Sequence, residues 1–310
     1  MATEVPRIPS LSPSALAARM AAHEPVVLTD VVPRWPAGRG WSLAHLRERF
    51  GDRSLVVRGG DRRTWKQLCS ARLDAYVDFI GGSDATPALA EHRERHPYAA
   101  FNVLEGAEED TPFRPLVPDD FRVGPSVVWI GPERSMTPLH LDESGHTLLA
   151  QIVGRKRVLL FPYDQSRFLY PSDVFDYTSV FSEVNLDAPD PVRHPDYRHA
   201  RPIEVILEPG ELLLMPMRMW HEIHALDASV SVTVRTAPQA HQRSREMRRW
   251  RLKGLGHLMG LYKPDRCLCH IVDVKKLQLD RFTADRRTRA LLAMDRVSAH
   301  GRDLSEMLGW

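Results

Sequence analysis

Between residues 126 and 234 the chain alternates short apolar runs with turn residues, at the length and spacing of strands. Ser126-Val127-Val128-Trp129-Ile130-Gly131 is one such run, and residues 147–153 and 158–161 are two more. Residues 203–216 then read as a strand, a Pro-Gly turn at Pro209-Gly210, a second strand and a stop at Pro216. Ser229-Val230-Ser231-Val232-Thr233-Val234 closes the series with β-branched alternation. Upstream the period changes and helices mix with strands. A helix is expected over 13–22, with Ser12 as N-cap and Pro13 in the first helical position. Strand-like 25–32, helix-like 43–50, strand-like 55–58 and helix-like 71–80 follow. From residue 240 the pattern is helical and basic, and apolar positions at helical spacing recur over 277–282 and 288–307.

These periods divide the chain into an α/β N-terminal region (1–115) that extends the core sheet, a β core (116–238) and a helical C-terminal region (239–310). Within the core, 162–202 is a long polar, aromatic and Pro-rich insert, the kind of loop that is functional or disordered. Its Tyr163, Phe168, Tyr170, Phe175 and Tyr177 either help enclose a substrate or pin the loop to the core.

Composition fits a chain able to bury a sizeable core, with 43% hydrophobic residues in 310. The formal net charge of +2 gives no global reason for nucleic acid or a membrane as partner. Arg243, Arg245, Arg248, Arg249, Arg251 and Lys253 cluster, but with Trp250 alone among them as an aromatic the run reads as a solvated helix face. No apolar run approaches a membrane span, and residues 1–12 lack a basic-then-apolar leader, so a cytoplasmic protein is expected. Cys69, Cys267 and Cys269 are too few for a disulfide framework. Cys267-Leu268-Cys269-His270 invites a zinc reading, yet no partner pair stands nearby and incidental thiols are preferred.

Candidate chemistry begins with His140 and Asp142, two apart in a β-type stretch and so on one face of a strand. With 14 His and 40 acidic residues, about two His-x-Asp/Glu pairs should arise by chance, so context must decide. His92-Arg93-Glu94 lies in a charged, helix-like run, where i and i+2 diverge. His194-Pro195-Asp196 carries a proline between the two residues and reads as loop. His140 and Asp142 alone have strands on both sides. A third ligand from a distant strand would complete a facial triad for non-haem Fe(II). His221, in Met219-Trp220-His221, fits best, with His224 as its rival in a supporting or partly buried role.

The ordered set Trp129-Ile130-Gly131, Thr137-Pro138-Leu139-His140-Leu141-Asp142, Gln151-Ile152-Val153-Gly154-Arg155-Lys156-Arg157, Leu169-Tyr170-Pro171, Glu208-Pro209-Gly210-Glu211 and Met215-Pro216-Met217-Arg218-Met219-Trp220-His221 resembles the JmjC family of 2-oxoglutarate oxygenases. More narrowly it is similar to the cupin-like hydroxylase branch that includes the asparaginyl hydroxylase acting on hypoxia-inducible factor. The resemblance covers about a third of the chain. It implies a mainly β fold with flanking helices around a double-stranded β-helix, the jelly-roll or cupin core.

It also implies Fe(II) held by His140, Asp142 and His221, 2-oxoglutarate held at its distal carboxylate by Thr137 and Lys156, and O2 as co-reactant. The chemistry of the residues agrees, because a buried dicarboxylate needs a fixed cation and a hydroxyl donor. Only six of the 42 basic residues are Lys, and Lys156 would point opposite to Arg155 and Arg157 on a strand; the alternative is an ordinary surface lysine. Tyr98 corresponds to a cosubstrate-binding tyrosine, and Thr147 stands where many relatives carry Asn. Arg235 replaces an Asn common after the last core strand, and would alter the cosubstrate pocket, admit an acidic substrate group or point outward. Met219 replaces the first of a usual Trp pair.

The implied activity is hydroxylation of an amino-acid side chain in a peptide, a protein or a small amino-acid-derived substrate, with succinate and CO2 as coproducts. The same chemistry at an N-methyl group gives demethylation. The alternative of another class is a non-catalytic, metal-binding regulatory protein. In the resembled hydroxylases terminal helices make a dimer, so a homodimer through residues 239–310 is expected.

Overall fold

The computed structural model describes residues 4–60, 67–172 and 179–244. The C-terminal helices expected beyond that range, the dimer expected through them, Cys267 and Cys269, most of the basic run, and Phe175 and Tyr177 lie outside the described residues. In chain order the strands are β1 (Arg7–Ile8), β2 (Val26–Leu28), β3 (Ser54–Arg58), β4 (Gln67–Arg72), β5 (Tyr98–Val103), β6 (Phe121–Val123), β7 (Val127–Gly131), β8 (Met136–Asp142), β9 (His146–Val153), β10 (Lys156–Phe161), β11 (Ser179–Phe181), β12 (Ile203–Leu207), β13 (Leu212–Met215), β14 (Trp220–Ala225) and β15 (Ser229–Pro238). The longer helices are α1 (Pro13–Ala21), α2 (Leu43–Phe50) and α3 (Leu73–Ile80).

From β7 onward consecutive strands of the core fall mostly in opposite sheets. One sheet runs β13-β9-β15-β7 and the other β8-β14-β10-β12, the interleaving of a double-stranded β-helix. The first sheet is lengthened at both ends by N-terminal strands, with β2 and β1 beyond β13 and β5, β3 and β4 beyond β7; β11, from the insert, extends the second beside β8.

Strand alternation sorts side chains into three layers. Val158, Leu160, Leu149, Leu213 and Ile223 meet between the two sheets. Leu148, Ala150, Val230, Val232 and Val234 face the other way, packing with Leu16 and Met20 of α1, Leu46 and Phe50 of α2, and Leu73 and Val77 of α3. Outside the second sheet, Leu139, Leu141, Leu159 and Trp220 pack with Leu169 and Ala200 of the insert.

Local signals account for most helix ends. Ser12 Oγ accepts the Ala15 N–H at 3.2 Å, capping α1 behind Pro13. Two expectations are corrected. The strand read over 25–32 stops at Leu28, and Val32–Arg34, holding Pro33, turns as a 3-10 helix. The helix read from residue 71 starts at Leu73, because Ala71 and Arg72 complete β4 opposite Leu55 and Ser54.

Candidate metal centre

His140 and Asp142 stand at the C-terminal end of β8, and His221 on β14 is the register partner of His140. The three are buried, and one ligand atom from each lies within 4.8 Å of the others. Each imidazole is fixed by its own strand. His140 Nδ1 donates to Pro138 O at 2.7 Å and His221 Nδ1 to Met219 O at 3.0 Å, a carbonyl two residues back in both cases. That repeated bond sets the tautomer and leaves Nε2 as the free donor atom, the arrangement a ligating histidine needs. The His140 and His221 rings tilt together with centroids 4.1 Å apart, and Phe181 of β11 stacks on His140 at 5.3 Å. Burial holds the His140 imidazole far below its usual range, to about 3, with His221 adding to it, and burial lowers His221 too. Both are therefore neutral and available to a cation.

Asp142 is held on both oxygens. Oδ1 accepts Arg235 Nη2 at 2.6 Å and Ser179 Oγ at 2.9 Å, while Oδ2 accepts Thr147 Oγ1 at 3.0 Å. Burial alone would raise this carboxyl. The Arg235 guanidinium, aided by His140, His221 and Ser179, reverses that and leaves it at about 2. Thr147 and Arg235 are register partners on β9 and β15, so their hydrogen bonds converge on Asp142 from the facing sheet.

A second polar group lies on the same inner face. Lys156 is 2% exposed, and its ammonium donates to Ser231 Oγ at 2.6 Å and Tyr98 Oη at 3.1 Å. Tyr98 also hydrogen-bonds Thr137. Burial lowers Lys156 to about 7. No carboxylate pairs with this ammonium among the described residues, whereas its neighbours Arg155 and Arg157 are paired with Asp227 and Glu204.

Two features position these groups. Along β15 the inward positions are Ser231, Thr233 and Arg235, which serve Lys156, the Trp129 indole N–H (2.8 Å) and Asp142 in turn. On β8, Thr137 is three residues before His140, an odd step that regular alternation would send to the opposite face. The β8–β14 register shifts between His221, opposite His140, and Ile223, opposite Thr137, so β8 carries one extra residue there. This bulge returns Thr137 to the inner face. Glu222, fully buried, accepts the Leu139 N–H within the bulge at 3.1 Å.

Sequence reasoning did not reach Ser179, Ser231, Phe181 or Glu222. The alternating Ser229-Val230-Ser231-Val232-Thr233 run was the available signal for Ser231, since a polar face toward the interior implies something for it to bind. His224 points away from the triad, with Nε2 2.7 Å from Glu222 Oε1.

A double-stranded β-helix presenting two neutral imidazoles and a carboxylate inward defines a cupin-type barrel with a donor set that fits a metal ion. The chain belongs to the cupin-like JmjC family: the family model described as "Cupin-like domain" matches residues 13–235. Among curated relatives, HSPB1-associated protein 1 of Bos taurus is 31% identical over 227 residues, covering 67% of this chain and 47% of that protein. Lysine-specific demethylase 8 of Xenopus tropicalis is 31% identical over 222 residues, 68% of this chain and 47% of that protein. Lysine-specific demethylase JMJ30 of Arabidopsis thaliana is 31% identical over 219 residues, 67% and 49% respectively. The chain thus spans about half the length of these relatives. Enzymes of this family generally use Fe(II) and 2-oxoglutarate, and the donor set fits: borderline imidazole and hard carboxylate donors suit Fe(II), and the buried ammonium suits a carboxylate. Among the described residues no helix is long and apolar enough to cross a membrane.

Proposed function

We propose that the protein is an Fe(II)- and 2-oxoglutarate-dependent oxygenase that hydroxylates an amino-acid side chain in a peptide, a protein or a small amino-acid-derived substrate. The observation that carries this reading is Lys156, a buried ammonium with neutral partners, on the same inner face as a His, Asp, His group. A barrel that bound metal alone would have no use for a desolvated cation there, because burying it unpaired costs several kcal/mol. A dicarboxylate cosubstrate supplies the missing charge.

In this reading His140, Asp142 and His221 hold the iron, and Lys156, Thr137 and Tyr98 receive the distal carboxylate. Thr147 and Arg235 act at the iron end by orienting Asp142. Bound together, iron and 2-oxoglutarate supply the oxidising power that places one atom of O2 in a substrate C–H bond, with succinate and CO2 released. The chain's own task is to keep both imidazoles neutral, fix their Nε2 atoms by the Pro138 and Met219 carbonyls, and keep Asp142 ionised through Arg235. Phe181 against His140 restricts water beside that ring. Demethylation of an N-methyl group is the second reading, favoured by the relatives named lysine-specific demethylases.

The test is anaerobic visible spectroscopy with Fe(II) and 2-oxoglutarate, beside His140→Ala, followed by succinate release from candidate peptides and amino acids. A charge-transfer band and succinate in the wild type alone are expected. Absence of the band, with no calorimetric binding of either component, overturns the oxygenase reading and leaves a non-catalytic barrel.

A further inference from the structure

On the outer face of β14, directly behind the triad, Asp187, Glu222 and His224 each place one ligand atom within 4.8 Å of the others. Glu222 follows His221 in the chain, and its side chain has no exposure, while that of His224 keeps 19%. The two oxygens of Glu222 are divided. Oε2 accepts the Leu139 N–H in the β8 bulge, one residue before His140, and Oε1 is hydrogen-bonded to His224 Nε2 at 2.7 Å. Asp187 comes from the insert and reaches this group from the exposed side, its turn set by an Asn185 Oδ1 bond to the Asp187 N–H at 3.1 Å. His224 and its register neighbour Arg157 do not compete, because the guanidinium is held by Glu204 at 2.6 and 2.8 Å.

We propose that Asp187, Glu222 and His224 form a second metal site, for a divalent ion of the zinc class, that latches the insert to the back of the catalytic strands. Two carboxylates and an imidazole drawn to one point, with the Glu222 side chain fully buried, make a mixed oxygen and nitrogen donor set of the kind a zinc-class dication takes. The imidazole selects against Ca2+ and Mg2+, which prefer oxygen alone. Three protein donors with an exposed rim leave room for water as a fourth ligand. The site bears on function through position. Glu222 touches the bulge that turns Thr137 inward, so a cation on its other oxygen stiffens the backbone carrying both His140 and His221. The outer cluster shares no side chain with the triad, and its occupancy does not depend on iron there.

Calorimetric Zn2+ titration of the chelator-stripped full-length chain tests it. Two zinc sites are expected in the wild type. His224→Gln and Asp187→Asn should each weaken one of them by at least about a hundredfold, more than loss of an outer partner costs, and spare the other. A His140→Ala, Asp142→Ala double variant should keep the outer site, and Ca2+ should not fill it. Zinc should also slow proteolysis within residues 162–202 in the wild type and in that double variant, but not in Asp187→Asn. Two undiminished sites in Asp187→Asn, whose exposed position keeps the fold out of question, would overturn the proposal. So would a single wild-type site that the double variant removes.

Discussion

Lys156 and Asp142 are both buried ions, and they differ in what compensates them. Asp142 has a guanidinium 2.6 Å away, whereas Lys156 has two hydroxyls. For Lys156 the folded chain holds its proton only to about pH 7, whereas an unperturbed ammonium holds it to 10.5. Between those values the unfolded chain binds more protons, so stability of the ligand-free protein must rise with pH. Relative to Lys156→Met, the wild type should gain a few kcal/mol from pH 7 to 10.5, read from urea midpoints. A bound carboxylate would restore the ammonium and flatten that difference. Asp142 has the opposite sign. Its carboxyl, held at about 2 against an ordinary 3.8, contributes stability that is present above pH 4 and lost as pH falls toward 2. Arg235→Met strands the carboxylate; it should cost roughly 3 kcal/mol at neutral pH and move acid unfolding to higher pH. An unchanged acid midpoint would mean that the ion pair does not hold Asp142 ionised.

At the scale of elements, polar bonds reach through the layers as well as along them. Tyr76 of α3 is buried beneath the sheet, its hydroxyl 2.7 Å from Pro97 O and 2.8 Å from Ile130 O while accepting the Ala99 N–H at 3.0 Å. It ties the helix to β5 and β7 together. Tyr76→Phe leaves a buried N–H and carbonyls without that partner, and should cost about 2 kcal/mol in chemical denaturation with no loss of metal binding. Core strands and capped helices were legible in the sequence because one face of each is apolar. β5 was not read as a strand: Tyr98-Ala99-Ala100-Phe101-Asn102-Val103 lacks alternation, and Phe101 sits at φ +60° where its register with β7 shifts. The placing of Thr137 depends on the β8 bulge, whose Leu139 N–H is taken up by Glu222, a residue 85 positions after Thr137. Such a pairing has no local signature. His140 and Asp142 were legible for the opposite reason, since a two-residue step on a strand needs no outside information.

For the whole molecule, the two charged groups inside the barrel imply an order of binding. The triad is neutral at both imidazoles and its carboxylate is ionised, so a dication can enter before any cosubstrate. The ammonium at Lys156 and the hydroxyls beside it answer one end of a dicarboxylate, which without metal would trade its hydration for a single ion pair and leave its other end unmatched, near break-even in a buried site. With metal present the other end would chelate it, and the two contacts would act as one site with a high effective concentration. Mn2+, as a redox-silent stand-in, should therefore raise Tm, and 2-oxoglutarate should raise it further only when Mn2+ is there. At a hundredfold excess over Kd the added stability is about 2.7 kcal/mol. That corresponds to roughly 4 °C for a chain of 310 residues. In Lys156→Met the metal increment should persist and the cosubstrate increment disappear, and a chelator should abolish both in the wild type. An equal shift from 2-oxoglutarate without metal would show that the cation pocket and the triad are separate sites. Loss of the metal increment in Lys156→Met would show instead that the lysine supports the triad itself.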